Sequence, residues 1–329
     1  MKVLITGGTG FIGSRLALAL LESGDAVRVL GQANNEAEAA NKEELEFRGA
    51  EVVLASVTDR DRLFAVLDGV DLVYHFAAAQ HEANVPDQLF YDVNVTGTQN
   101  LLDASVQAGV KRFVHGSTIG VYGSAISGTI DEQSPLAPDN IYGITKLEGE
   151  QLVLSYQDKL PAVVIRISET YGPGDRRLLK LFKGVQKGVF FVIGNGRNLH
   201  HLVYIDDLIA GLRLAATEEK AVGQTFILAG EKPITTNEMV MAVAAALDTN
   251  PPRLRAPLAP FLMLAVVMEG ALRPFGIQPP LHRRRMDFFK KSFALSSNMA
   301  AGVLGYAPQV DFWQGAKETA HWYNENNHL

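Results

Sequence analysis

The chain has 329 residues, 47% hydrophobic and 20% charged, the balance of a globular protein that buries one large core and carries a smaller second domain. Thirty Lys and Arg against 36 Asp and Glu leave a formal net charge of -6, and no basic stripe interleaves with aromatics, so nucleic acid is excluded as an expected partner. The absence of cysteine excludes disulfides and thiolate metal sites, whatever the compartment.

Lys2 to Ile5 reads as a strand running straight into a glycine-rich turn, with no room for a cleavable leader, so a cytoplasmic chain is expected. Short apolar runs then alternate with helical stretches. Val3–Thr6, Ala26–Leu30, Glu51–Leu54, Leu72–Phe76, Arg112–His115 and Ala162–Ile165 read as strands; Phe11–Ser23, Asp61–Leu67, Gln88–Ala108 and Tyr142–Gln157 read as helices. Runs apolar on both faces, joined by helical crossovers, predict an α/β fold with a doubly wound parallel sheet. Ligands of such sheets bind beyond the carboxyl ends of the strands.

After Arg166 the turns Tyr171-Gly172-Pro173-Gly174-Asp175 and Gly194-Asn195-Gly196 break the pattern, and Leu202–Ala216 with Thr225–Leu228 look like a return to the sheet. Residues 1–165 and 202–230 are therefore expected to form the nucleotide-binding domain, and 166–201 with 231–329 a smaller, discontinuous substrate domain. Asp206 and Asp207 are expected to cap a helix over Leu208–Ala216. The most apolar segment, Ala256–Met268, falls short of the ~20 residues that span a bilayer and is broken by Pro257, Pro260 and then Glu269. It reads as a buried helix or interdomain packing, with a lid or a membrane-touching surface as the alternative. No membrane span, internal repeat or low-complexity tract is present in the sequence.

The first strand leads into Gly7-Gly8-Thr9-Gly10-Phe11-Ile12-Gly13 and then a helix. Glycines at 7, 10 and 13 permit a tight turn, close approach of backbone to a pyrophosphate, and close packing of helix on strand. Phe11 and Ile12 open the helix whose N-terminus supplies N–H donors. Further on, Tyr142 and Lys146 stand at i and i+4, which puts an ammonium beside a phenol and favours the phenolate. With nine tyrosines in the chain such a pair also arises by accident, so its company decides.

That company is His75-Phe76-Ala77-Ala78-Ala79, Asn94-Val95-Thr96-Gly97, Ser117-Thr118 ahead of Val121-Tyr122-Gly123, Tyr171-Gly172-Pro173-Gly174, and Val203-Tyr204-Ile205-Asp206-Asp207. With these motifs the chain resembles, over essentially its whole length, the extended short-chain dehydrogenase/reductase family, also called the NAD-dependent epimerase/dehydratase family. The resemblance implies an enzyme in which Thr118 is the hydroxyl partner, Tyr142 the acid/base and Lys146 its electrostatic and ribose-binding support. It places cofactor contacts at Gly7, Gly10, Phe11, Ile12, Gly13, Gln32, Ser56, Val57, Phe76, Ala77, Ala78, Asn94 and Ser117, besides Tyr142 and Lys146. Ser56 stands where the family usually has an acidic residue beside adenine. A homodimer through the helices after Asp87 and Asn140 is also implied.

NAD specificity ordinarily uses a carboxylate at the end of the second strand, whereas NADP needs space and a cation there. Gly31-Gln32-Ala33-Asn34-Asn35 offers no carboxylate, and Arg15, Arg28 and Lys42 are the nearest cations, so NAD or NADP is expected, with a slight lean to NADP.

The expected reaction moves hydride between a nicotinamide and a secondary alcohol or ketone held by Thr118 and Tyr142. Sugar-nucleotide members of the family carry asparagine two residues before Tyr-Gly-Pro and an arginine and aspartate before the Val-Tyr-x-Asp-Asp stretch; this chain has Glu169 and His200-His201. Two diphosphate contacts are thus replaced. The C-terminal part, with Gln278-Pro279-Pro280-Leu281 and Arg283-Arg284-Arg285-Met286-Asp287-Phe288-Phe289, is more similar to the 3-beta-hydroxysteroid dehydrogenase-like branch. A small-molecule substrate is expected, with Gln80, His81, Thr118, Glu169 and His200 around it. The alternatives are a nucleotide-sugar epimerase or dehydratase and, more remotely, a non-catalytic nucleotide-binding regulator. Arg283 to Arg285 are read as a solvated run or an anion contact. His200 and His201 lack a spaced third ligand, so no metal site is expected.

Overall fold

A computed structural model describes residues 1–80, 85–124, 128–272 and 283–329. Its centre is a seven-stranded sheet of β1 (Lys2–Thr6), β2 (Ala26–Gly31), β3 (Glu51–Leu54), β4 (Leu72–His75), β5 (Arg112–Thr118), β6 (Ala162–Ile167) and β7 (Thr225–Leu228). Every neighbouring pair is parallel, and the spatial order β7-β6-β5-β4-β1-β2-β3 reverses at β1. That reversal opens a crevice at the carboxyl end of the sheet between β1 and β4.

Alternation along each strand builds two cores. Val3, Ile5, Val27 and Val29 point into a cluster with Leu16 and Leu20 of helix α1 (Phe11–Glu22), whereas Leu4, Leu30 and Val73 join Leu63, Leu101 and Val153 on the other side. Burying both faces explains why the strands read as continuous apolar runs. The helix α2 (Glu36–Phe47) lacks such a signal, since Leu45 is its buried residue; it is started by Asn35, whose side chain accepts from Glu38 N–H. Helix α3 (Arg60–Val66) begins in the same way, with Asp59 accepting from Arg62 N–H.

The expected helix over 88–108 is divided. Helices α4 (Asp87–Tyr91) and α5 (Gly97–Ala108) flank a wider π turn over Asp92–Thr96, and Asn94 lies inside that turn. Helix α6 (Ile141–Ser155) is capped by Asn140, which accepts from Gly143 N–H. Beyond α7 (Leu179–Gln186), the short strand Leu202–Tyr204 pairs in parallel with Glu169–Tyr171 outside the central sheet. Helix α8 (Ile205–Thr217) follows it directly. Asp206 and Asp207 are within its first turn and do not cap it: Asp206 pairs with Arg15, and buried Asp207 accepts from the N–H groups of Gln309 and Val310. The expected cap is a clasp for the C-terminal segment. After α9 (Thr236–Ala246), the apolar 256–268 segment runs from Leu258 as helix α10 (Leu258–Leu272), which packs against α11 (Arg283–Lys290); it is not the expected buried helix, since Ala265 is its one buried residue. Helices α12 (Asn298–Leu304) and α13 (Phe312–Glu325) complete the chain. No described helix is long and apolar enough to cross a membrane.

Candidate active site

The glycine-rich turn sits at the reversal point. Gly7 has φ +68°, and a Cβ there would lie 2.7 Å from the backbone of Phe76 and Ala77, so only glycine fits between β1 and β4. At Gly13 a Cβ would come within 2.4 Å of the Gly7 carbonyl, which is why α1 can press its first turn onto the loop. Gly10, the residue before α1, contributes no side chain to cap the helix, so its N-terminal donors are not taken up by a cap. This cradle fits a dinucleotide pyrophosphate. The ring of Phe11 packs against Gly174 of the Tyr171–Gly174 turn, which joins the cradle to the second half of the chain.

At the end of β2, Thr9 fills the place of a residue-31 side chain. A Cβ on Gly31 would lie 2.4 Å from Thr9 Oγ1, which instead accepts from the N–H of Gln32. The Gln32 side chain accepts from Asn34, and Ser56 is engaged with Thr58. Each of the three cations near this sequence has a carboxylate partner elsewhere: Arg15 with Asp206, Arg28 with Glu51, Lys42 with Glu46. The expected lean to NADP therefore has no cation behind it.

Asn94 ties the crevice together. Its Oδ1 accepts from Ala79 N–H at 2.8 Å, while its Nδ2 donates to Ala79 O and to Thr145 Oγ1 at 3.1 and 2.9 Å. It is fully buried, and the π turn aims it at the loop after β4 and at α6 together. It is a clasp rather than a helix cap. Beside it, Phe76 N–H donates to Thr6 O, and Ala77 N–H lies 3.3 Å from Thr6 Oγ1. Val57 packs against Gly97 at the start of α5, where a Cβ would meet it at 2.5 Å. Ala78, between Ala77 and Ala79, shares this half-buried loop.

Thr118 ends β5, half-buried, and its Oγ1 accepts from Gly120 N–H in the tight turn Ile119–Tyr122. Gly143 lets the first turn of α6 sit on that turn, since a Cβ there would lie 2.8 Å from Gly120 O. Half-buried Tyr142 at the start of α6 is thereby brought to the end of β5. Along the same helix face, Lys146 is buried with its Nζ 3.4 Å from His115 Nε2, and Gly149 packs on the His115 ring. Burial lowers the Lys146 pKa to about 8, against an opposing pull from Glu150. His115 and His75 are register partners on β5 and β4 with rings 5.2 Å apart. Burial first, then Lys146, keeps both neutral, His75 at about 3.

Ser117 turns away from the crevice. Its hydroxyl donates to Glu150, which also takes a bidentate contact from Arg166; Arg166 reaches on to Tyr122 OH at 2.7 Å. This buried group braces β5, β6 and α6 from behind. Of these residues, sequence reasoning missed His75, His115, Glu150 and Arg166 as members of the site. The available signal for His75, His115 and Arg166 was a polar residue within an otherwise apolar strand; Glu150, on α6, had none.

On the substrate side, Thr118 is the register partner of Ile167, and Glu169 follows two residues later on the same edge. Glu169 is half-buried with Oε2 3.4 Å from His200 Nδ1. Burial alone would raise its carboxyl, but the His200 hydrogen bond and the neighbouring Arg177 guanidinium outweigh that and lower it. His200 is buried, with Nε2 3.0 Å from Thr236 Oγ1, and its ring lies 4.6 Å from that of Phe288. His201 is structural: its Nδ1 accepts from Leu295 N–H, so its Nε2–H donates to Gly230 O. Gln80 is exposed beyond β4; His81 and the Gln278–Leu281 motif lie outside the described residues, as do the side chains of Arg283, Arg284, Arg285 and Asp287. Among the described residues no group of three or more His, Asp or Glu is placed to hold a metal ion.

The profile of the NAD dependent epimerase/dehydratase family matches residues 3–229. A dTDP-glucose 4,6-dehydratase of Actinoplanes sp. is 31% identical, covering 99% of this chain and 98% of that protein. A 3beta-hydroxysteroid-dehydrogenase/decarboxylase, isoform 2, of Arabidopsis thaliana is 29% identical over 96% of this chain, which spans 61% of that longer protein. Among solved structures, a double mutant of DesIV, the dTDP-glucose 4,6-dehydratase of Streptomyces venezuelae with NAD bound, gives a TM-score of 0.81 at 28% identity, covering 99% of this chain and 98% of that one. With the family profile spanning more than half its length, this chain belongs to the NAD-dependent epimerase/dehydratase family and is an enzyme of the extended short-chain dehydrogenase/reductase type.

Proposed function

We propose that the protein is an NAD-dependent oxidoreductase for an apolar-bodied secondary alcohol or its ketone. The observation that carries this reading is the contact between Glu169 and His200. At the two positions where sugar-nucleotide members carry asparagine and arginine, this chain has a carboxylate and an imidazole engaged with each other. A diphosphate would meet a negative charge there instead of a cation. Apolar surface is supplied nearby by Phe288, whose ring lies against that of His200 at a tilt of 37°.

The cradle of Gly7, Gly10 and Gly13 would hold the pyrophosphate, with Phe76–Ala78 alongside and Lys146 toward the nicotinamide ribose. NAD rather than NADP is favoured because a 2′-phosphate would find no unpaired cation among Arg15, Arg28 and Lys42. When bound, the nicotinamide supplies hydride exchange at its carbon 4. Tyr142 takes the hydroxyl proton as the alcohol is oxidised, and returns a proton to the carbonyl oxygen in the reverse direction. Lys146 holds positive charge beside the developing phenolate, and Thr118 fixes the substrate oxygen. Ser117, directed at Glu150, acts only by bracing the strand beneath Thr118.

A second reading, epimerisation or dehydration of a nucleotide sugar, is supported by the dehydratase relatives. Elimination of water needs a further acid and base beyond Tyr142. The turn after Thr118 offers Ile119, Gly120 and Val121, none of them titratable, so among the expected substrate residues that are described Glu169 and His200 are the candidates for that pair. The homodimer through α4–α5 and α6 belongs to either reading and is measurable by light scattering.

The deciding experiment is the stoichiometry of cofactor use. An alcohol dehydrogenase accumulates one NADH for each ketone formed, whereas an epimerase or dehydratase turns over with no net NADH. Tyr142→Phe should lower kcat by about a thousandfold or more while NAD affinity changes little. Undiminished turnover in that variant would remove Tyr142 from the reaction.

A further inference from the structure

Helix α10 is apolar on every side and only half of it is used. Leu258, Phe261, Leu262 and Ala265 form one stripe that packs on Ile193, Met286 and Phe289. Opposite that stripe, Met263 is 70% exposed, Val267 65%, Leu264 48% and Val266 42%, and Leu254 just before the helix is 69% exposed. A helix lying on a protein surface normally turns a polar face outward. Here the outward face is as hydrophobic as the inward one, and the sole charged residue of the helix is Glu269. Contiguous exposed apolar surface of this kind marks an interaction site.

The charge around the helix says what it meets. In sequence, residues 253–291 contain eight Lys and Arg against two Asp and Glu, +6 in a chain of net -6, which leaves -12 on the rest, although Lys291 pairs with Asp139. Arg253 and Arg255 precede the helix, both exposed, and α11 behind it ends at exposed Lys290. A second copy of this chain docked through the same patch would set like charge against like charge, because a two-fold contact brings each patch onto itself. An anionic lipid surface answers both features, receiving apolar side chains below and basic ones at headgroup level.

We propose that the protein adsorbs to anionic membranes through the outward face of α10, flanked by Arg253 and Arg255. The 15 described residues of the helix are too few to cross, so it lies in the interface while the sheet stays in water. Through α11, whose Phe288 touches His200, the contact lies next to the substrate side of the site, and an apolar substrate dissolved in lipid would enter from there. The adsorption itself does not depend on the substrate reading.

The test is flotation of the full chain with vesicles of phosphatidylglycerol and phosphatidylcholine, against phosphatidylcholine alone, at low and high salt. Wild type should float with the anionic vesicles and be released by salt. M263E/V267E should lose this binding by about tenfold or more while keeping its melting temperature and NAD affinity, since both residues face solvent. R253E/R255E should weaken it and flatten the salt dependence. Absence of wild-type binding, or equal binding by M263E/V267E, overturns the proposal. A dimer in lipid-free solution that M263E/V267E dissociates would give the face to a second copy and overturn it as well.

Discussion

Lys146 Nζ lies 3.4 Å from His115 Nε2, and no carboxylate among the described residues shares that contact: the site's ammonium is held by a neutral imidazole from the middle of the sheet. Nδ1 of His115 is buried with no hydrogen-bond partner among the described residues. Burial of Lys146 costs its charged form, and the pKa falls to about 8.

The pH consequences follow with definite sign. In the free enzyme the ammonium is lost as pH rises through about 8, so kcat/KM for NAD should decline above that value. His115→Leu removes the acceptor that helps keep the proton on, and should move the decline to lower pH. For stability the folded pKa is the lowered one. Between pH 8 and 10.5 the unfolded chain therefore binds the extra proton, and wild type should gain stability with rising pH across that window. Lys146→Met should lack this gain, worth roughly 2 kcal/mol, when urea midpoints at pH 8 and 10 are compared. Parallel pH profiles of the two proteins would show that Lys146 is not the buried cation described.

The Glu150–Arg166 pair yields a stability prediction of different origin. Both side chains are buried, and Glu150 also accepts from Ser117, so removing one partner strands a charge in a dry interior. Glu150→Ala should cost about 3–5 kcal/mol of unfolding free energy. The double variant Glu150→Leu with Arg166→Met should recover much of it. If the single variant unfolds at the wild-type midpoint, water reaches this pair and the brace beneath Thr118 is looser than described.

How far these features could be read in advance depended on their range in sequence. The seven strands are legible to within a few residues because each is a short apolar run, buried on both faces except in the edge strand β3, and Tyr142 with Lys146 is legible because helix periodicity fixes i and i+4. The His75–His115 pair needs the register of β4 on β5, and Glu169 meets His200 only because Glu169–Tyr171 pairs in parallel with Leu202–Tyr204. Neither register leaves a local mark. Asp207 was misread as a cap for the same reason, since its real partners, Gln309 and Val310, lie about a hundred residues away. The π turn around Asn94 likewise depends on what Asn94 reaches rather than on its neighbours in the chain.

The end of β2 carries the third prediction. An acidic residue at Gly31 should favour NAD over NADP, but its Cβ would collide with Thr9 at 2.4 Å. Gly31→Asp alone should therefore lose about 1–3 kcal/mol of stability through overpacking. Adding Thr9→Ala should restore most of that and widen the preference for NAD by about tenfold or more, read as dissociation constants for the two cofactors. A single variant as stable as wild type would mean that Thr9 does not occupy this space.

The last prediction exchanges the pair that sets the substrate reading. His200→Arg alone should change little in ligand choice, because the new guanidinium would be neutralised by Glu169 beside it. It should also cost stability, since His200 is buried against Phe288 and Thr236 and the longer side chain must displace one of them. Glu169→Asn combined with His200→Arg removes the competing carboxylate and leaves a cation facing the substrate. With NAD present, UDP- and dTDP-sugars should then raise the melting temperature of the double variant and not that of wild type, because a ligand that binds only the folded state stabilises it, by about 2.7 kcal/mol at a hundredfold excess over Kd. Steroid-like alcohols and ketones should show the reverse order. Stabilisation of wild type by a nucleotide sugar would mean that another cation, such as Arg177, whose charge acts on Glu169, serves the diphosphate, and the epimerase or dehydratase reading would take precedence.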